Sequence, residues 1–176
     1  MTMSLPQLLA SGRLRHLPAA LSEIEDLLRV VERDLADACI EDVSADRRFA
    51  TAYNAALQLA TVALRAEGYR TSGTAHHYTT IAALPLILGA GATQTADYLD
   101  ACRMRRNTVD YDGVGIATER DVAELVLEAT ALRESVLGWL ARAHPELMPA
   151  RRPYEDRLHR RTRSPRTDPP REDDRP

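Results

Sequence analysis

From Leu21 to Ala38 the apolar residues Leu21, Ile24, Leu28, Val31, Leu35 and Ala38 recur every three or four positions, a spacing that lines one face of an α-helix. Ser22, with Glu25 three residues on, reads as the capping box that opens this helix. A second helix is predicted from Ser44 as its N-cap through Phe49, Tyr53, Ala56, Leu57, Ala60 and Leu64, stopping at Gly68. The stretch Tyr69-Arg70-Thr71-Ser72-Gly73 reads as a loop. A third helix is expected from Thr74 towards Gly89, kinked or split at Pro85, where a backbone donor is lost. The fourth covers about Gln94 to Val109, and Tyr111-Asp112-Gly113 ends it. Thr118 and Asp121 cap a long final helix that buries Val122, Leu125, Val126, Ala129, Leu132, Val136, Leu137 and Leu140.

Five helices on short connections predict an all-α, up-and-down bundle over residues 1–150. Composition supports this, since 8 Gly and few aromatics (1 Phe, 1 Trp, 6 Tyr) are too sparse for a β-sandwich or barrel. Beyond Ala150 the character changes. Residues 151–176 hold 9 Arg against 6 acidic residues and 5 of the 10 prolines, with only Tyr154 and Leu158 as sizeable apolar groups. That is too little apolar surface to offset chain entropy, so an Arg/Pro-rich disordered tail is expected. The tail carries +3 of a chain whose net charge is −3, which leaves −6 on the bundle.

All 23 basic residues are Arg, so no lysine is present to close a Walker-type phosphate loop or to form a Schiff base, and those enzyme classes are excluded. Cys39 and Cys102 form no CxxC pair, and no apolar run is long enough for a signal segment or a membrane span. A reducing, cytoplasmic setting without membrane contact follows as the expectation. His16, His144 and His159 are isolated, no histidine or cysteine grouping has metal-ligand spacing, and neither metal nor cofactor is expected. Trp139 lies in the apolar stretch of the last helix and suits core or dimer packing. Ala52, Ala55, Ala56 and Ala60 give the second helix a small-residue face that favours close approach in a homodimer.

The densest chemistry lies between Arg103 and Asp112. At helical spacing Arg103, Arg106, Asn107, Asp110 and Tyr111 share a broad face, bringing two guanidinium groups, an amide, a carboxylate and a phenol together. Guanidinium forks match phosphate oxygens, so such a face can hold a phosphate. The plainer alternative is helix-end capping by arginines paired with nearby Asp residues. A second arginine-histidine grouping, Arg70 followed by His76 and His77, straddles the loop before the third helix. Adjacent histidines on a helix diverge, so at most one of the two is expected to line a cleft, the plainer alternative being local capping or packing beside Gly73.

The run Arg48-Phe49-Ala50-Thr51-Ala52-Tyr53-Asn54-Ala55-Ala56, then Gly68-Tyr69-Arg70, Gly73-Thr74-Ala75-His76 and Arg106-Asn107, resembles the HEPN domain family over roughly Ala20 to Ala143. The resemblance implies a helical bundle, often a homodimer with a composite site. It also implies a place in prokaryotic toxin–antitoxin or defence systems, as a metal-independent ribonuclease or as an inactive or partner-binding member. The family signature is an Arg, a polar residue such as Asn, and a His shortly after. It implies that His takes the proton of a ribose 2′-hydroxyl while Arg neutralises charge on the phosphorane. Here Arg106 and Asn107 fit, but Tyr111, flanked by Asp110 and Asp112, stands at the histidine's place. A phenol with a pKa of about 10 is a poor base at neutral pH, and a general base contributes about 10²- to 10⁴-fold. The expected site is therefore a degenerate ribonuclease centre of Arg106, Asn107 and Tyr111, with Asp110 as a further candidate. Arg103, Arg70 and His76 are expected to contact phosphate or RNA. The other readings are a non-catalytic protein that pairs with a nucleotidyltransferase and an active ribonuclease with an atypical motif.

Overall fold

The computed structural model describes residues 3–112 and 115–150, giving the backbone alone over 107–112. In chain order the elements are α1 (Leu5–Ala10), β1 (Leu14–His16), α2 (Leu21–Ala38), α3 (Ala45–Ala66), β2 (Tyr69–Thr71), α4 (His76–Leu88), α5 (Thr93–Asp112) and α6 (Glu119–Ala143), with 3₁₀ turns at Ala90–Ala92 and Pro145–Leu147. The architecture is the all-α bundle that the apolar periodicity predicts. The Arg/Pro-rich stretch at 151–176 lies outside the described residues.

Helix α3 is the axis of the bundle, packed against α2, α4, α5 and α6. Phe49, Tyr53, Leu59 and Val62 are buried along it, and Ala52, Ala55, Ala56 and Ala60 are equally inaccessible. A helix surrounded on several sides is apolar nearly all round, and alanine lets its neighbours come close. This corrects the expected use of the alanine face, which the protomer's own core consumes and which offers nothing to a second copy.

Three elements escape the periodicity. α1 is a single short helix with a Ser4–Gln7 capping box, and β1 pairs antiparallel with β2 in the register Leu14–Thr71, Arg15–Arg70 and His16–Tyr69. The segment expected to be a loop after α3 is thus half of a two-stranded ribbon. Leu8 and Leu14 join Leu64 and Ala83 in a small apolar cluster beneath it. Strands of three residues are too short for alternation to register above the helical signal.

The helix ends follow the sequence in part. Thr118 and Asp121 form the expected reciprocal capping box on α6, and Gly68, at φ +78°, ends α3 in the left-handed conformation that glycine tolerates best. Ser22 does not cap α2. Its N-cap is Ala20, and Ser22 lies inside the first turn, exposed. Ser44 is the N-cap residue of α3, although its side chain makes no cap hydrogen bond. Pro85 does not split α4, which continues to Leu88. Among the described residues no helix is long and apolar enough to cross a membrane.

Candidate functional site

The three arginines around Met104 separate by helical phase. Arg105 donates to both carboxylate oxygens of Asp121 at 2.7 and 2.8 Å and to the Ile116 carbonyl at 2.7 Å. Its guanidinium also stacks over Phe49, 5.7 Å from the ring centre. It therefore fastens the end of α5 to the start of α6. Arg103 and Arg106, one helical turn apart, serve the other side, as the i, i+3 spacing predicts. Arg103 donates from Nε to Asp100 at 2.7 Å and lies over the Tyr78 ring at 5.8 Å. Arg103 and Arg105 thus each pair with an Asp, Asp100 and Asp121, and the carboxylate oxygen at Arg103 occupies only one of its five donors.

Both Arg103 and Arg106 act electrostatically on two groups from other helices, His77 in the first turn of α4 and Tyr53 on α3. The rings of Tyr53 and His77 are 6.3 Å apart, and the His77 ring meets that of His76 edge to face at 4.5 Å. Burial lowers the pKa of His77 below its ordinary value, and the charges of His76, Arg106 and Arg103 lower it further. At neutral pH His77 is thus an uncharged imidazole, able to accept a proton. Burial also pushes the Tyr53 phenol up to about 12, against the pull of the two arginines, so it stays protonated.

The Tyr53 hydroxyl is the one buried side-chain polar atom without a hydrogen-bond partner among the described residues. Burying a hydroxyl unpaired costs stability, so Tyr53→Phe is expected to stabilise the protein by about 1 kcal/mol in urea unfolding. A loss of stability instead would show that the hydroxyl is satisfied in solution.

Of the residues selected from sequence, Arg103 and Arg106 come together. The side chains of Asn107, Asp110 and Tyr111 lie outside the described residues. Arg70 and His76 fall on the neighbouring wall, in a cavity of about 270 Å³ between α2, α3, α4 and β2. His77 lines this cavity beside His76, which corrects the expectation that at most one of the pair would face a cleft. The two rings meet edge to face at 4.5 Å, so adjacent positions on the first turn of α4 serve the same hollow. Tyr53 and Tyr78 were not selected from sequence as site residues, and His77 entered only as the alternative to His76. The tyrosines carry no signal beyond aromatic character at helical positions, which also describes ordinary packing residues. Among the remaining candidates, Trp139 packs half-buried against His144 at 5.2 Å, in the core role expected of it. Cys102 is buried, and burial raises its thiol to about 11, which makes it inert.

The chain matches no family model, no curated protein and no solved structure.

Proposed function

We propose that this is a HEPN-like protein that binds RNA or a nucleotide through a phosphate group at Arg103 and Arg106, within a prokaryotic toxin–antitoxin or defence system. The observation that carries the reading is the joint action of these two guanidinium groups on an uncharged His77 and on the unpartnered Tyr53 hydroxyl. Two guanidinium forks suit the oxygens of a phosphate ester, and a neutral imidazole nearby does not add a third fixed charge. The ribonuclease centre is degenerate in this reading, because Tyr111 stands where the family resemblance calls for histidine. A homodimer belongs to the same proposal, and pairing with a nucleotidyltransferase to the non-catalytic alternative, both on the resemblance alone.

His77 favours a second reading, in which metal-independent cleavage survives. It would take the 2′-hydroxyl proton from a different helix than the motif implies, while Arg103 and Arg106 stabilise the charge on phosphorus.

Fluorescence anisotropy with a labelled single-stranded RNA tests the first reading. Arg106→Ala is expected to weaken binding by about 1.5–3 kcal/mol, roughly 10- to 150-fold. It should also flatten the logarithmic salt dependence by about 0.7, the share of one phosphate contact, with little change in the melting curve. Absence of wild-type binding to RNA and nucleotides would remove the proposal. Incubation of RNA in EDTA separates the two readings. A degenerate centre cleaves at most slowly and gains rate in Tyr111→His. Robust wild-type cleavage that His77→Ala abolishes and Tyr111→Phe does not would establish the second.

A further inference from the structure

The cavity beside His76 and His77 has a different composition from the arginine face of α5. One wall is apolar, formed by Leu27, Leu57 and Leu64. Gln58 and Thr61 come from the same stretch of α3 as Leu57 and Leu64 and add polar groups to the lining. Thr61 donates its hydroxyl hydrogen to the Leu57 carbonyl and so keeps its oxygen as an acceptor. The Gln58 amide makes one long contact, 3.4 Å to Asn54, and keeps further capacity.

The buried charges on the wall cancel each other. Arg65 donates to both oxygens of Glu23 at 2.7 and 2.8 Å, and its remaining donors go to the carbonyls of Leu17, Pro18 and Tyr69. That pair is therefore a neutral part of the wall. Arg70 is different. It is exposed on β2 and lines the cavity, directly opposite the equally exposed Arg15 of β1. Like charges directly opposed on a two-stranded ribbon are unfavourable, and the cost falls when an anion lies between them. The volume of about 270 Å³ is just under the roughly 300–1000 Å³ of common small-molecule sites, so the occupant has to be compact.

We propose that this cavity binds a compact organic anion, a carboxylate or a phosphate monoester, with its apolar body against Leu27, Leu57 and Leu64 and its charged head at Arg70. Arg15, opposite Arg70 on the ribbon, adds positive charge beside it, and Gln58 contributes amide donor capacity to the lining. The site shares His77 with the phosphate reading at Arg103 and Arg106 but differs from it in its apolar wall and its charged rim, which belong to α2, α3 and the ribbon.

Methyl-resolved NMR of the full chain, with benzoate and phenyl phosphate as probes, tests it. At least one probe is expected to shift the Leu27 and Leu57 methyl signals saturably, and the better of the two identifies the head group. Inorganic phosphate and benzyl alcohol, lacking the body and the charge respectively, should bind at least tenfold more weakly. Arg70→Gln, an exposed change that leaves the core intact, should weaken the better probe about tenfold or more. Thr61→Phe, which fills the space, should abolish the shifts. Unmoved methyl signals with both probes would overturn the proposal, as would benzyl alcohol or inorganic phosphate binding as tightly as the anions. Unchanged affinity in Arg70→Gln would overturn it even if Thr61→Phe fails to fold.

Discussion

Replacing Arg65 by alanine is expected to cost about 3 kcal/mol, a fall of roughly 6–12 °C in melting temperature for a domain of this size. Arg65 is 3% exposed, and its guanidinium joins the last turn of α3 to Glu23, to the Leu17 and Pro18 carbonyls before α2, and to Tyr69 on the ribbon. Truncation leaves a carboxylate and three carbonyls to find new partners. Breaking a fully buried pair costs about 3–5 kcal/mol, and the lower end applies because the Glu23 side chain is 40% exposed and can turn to water. Arg65→Lys is expected to recover less than half of the loss, since a lysine cannot span a bidentate carboxylate and the carbonyls together. Urea unfolding of the three proteins checks this, and a loss below 1 kcal/mol in Arg65→Ala would show that the clamp is not formed in solution.

The pair of Arg133 on α6 and Glu32 on α2 should behave differently when both partners are changed. Both side chains are 11% exposed, with Nε to Oε1 at 2.5 Å. Arg133→Ala is expected to destabilise by about 3–5 kcal/mol, because the Glu32 carboxylate stays behind with its charge uncompensated. Arg133→Met combined with Glu32→Leu fills a similar volume without charge, and is expected to lie within about 1 kcal/mol of wild type or above it. Chemical denaturation of the single and double variants closes the cycle. A double variant as unstable as Arg133→Ala would mean that the pair contributes its full strength rather than repaying its own desolvation.

These clamps explain what the chain did not disclose locally. Arg65 and Glu23 are 42 positions apart, Arg48 and Glu119 are 71, and Arg133 and Glu32 are 101. In each case an arginine that reads as a solvated charge is buried because a distant carboxylate meets it. Arg105 illustrates the same point within the densest motif. Its two neighbouring arginines are chemically identical to it, and only the packing of α6 against the end of α5 assigns it to Asp121.

The candidate site was legible to the same depth. Helical phase alone put Arg103 and Arg106 on one face, apart from Arg105. Nothing in the spacing tied that face to His77 or Tyr53, which precede Arg103 by 26 and 50 positions, as their residue numbers show. Their meeting depends on α4 and α5 both packing on α3. Arg70 and His76 were singled out together, and they do share a wall, but of the cavity and not of the arginine face.

By itself the sequence determined the five longer helices and most of their limits, because a period of three to four residues, a capping box at Thr118 and a glycine at position 68 act within one or two turns of chain. It also determined which chemistry is missing, since a chain without lysine cannot supply lysine-dependent steps. The tertiary structure alone decided that the alanine face of α3 is core, that residues 69–71 pair with 14–16, and that His76 and His77 line one cavity. Those outcomes depend on contacts between segments distant in the chain, where the free energy of burying one surface is set by whichever other surface the fold brings against it.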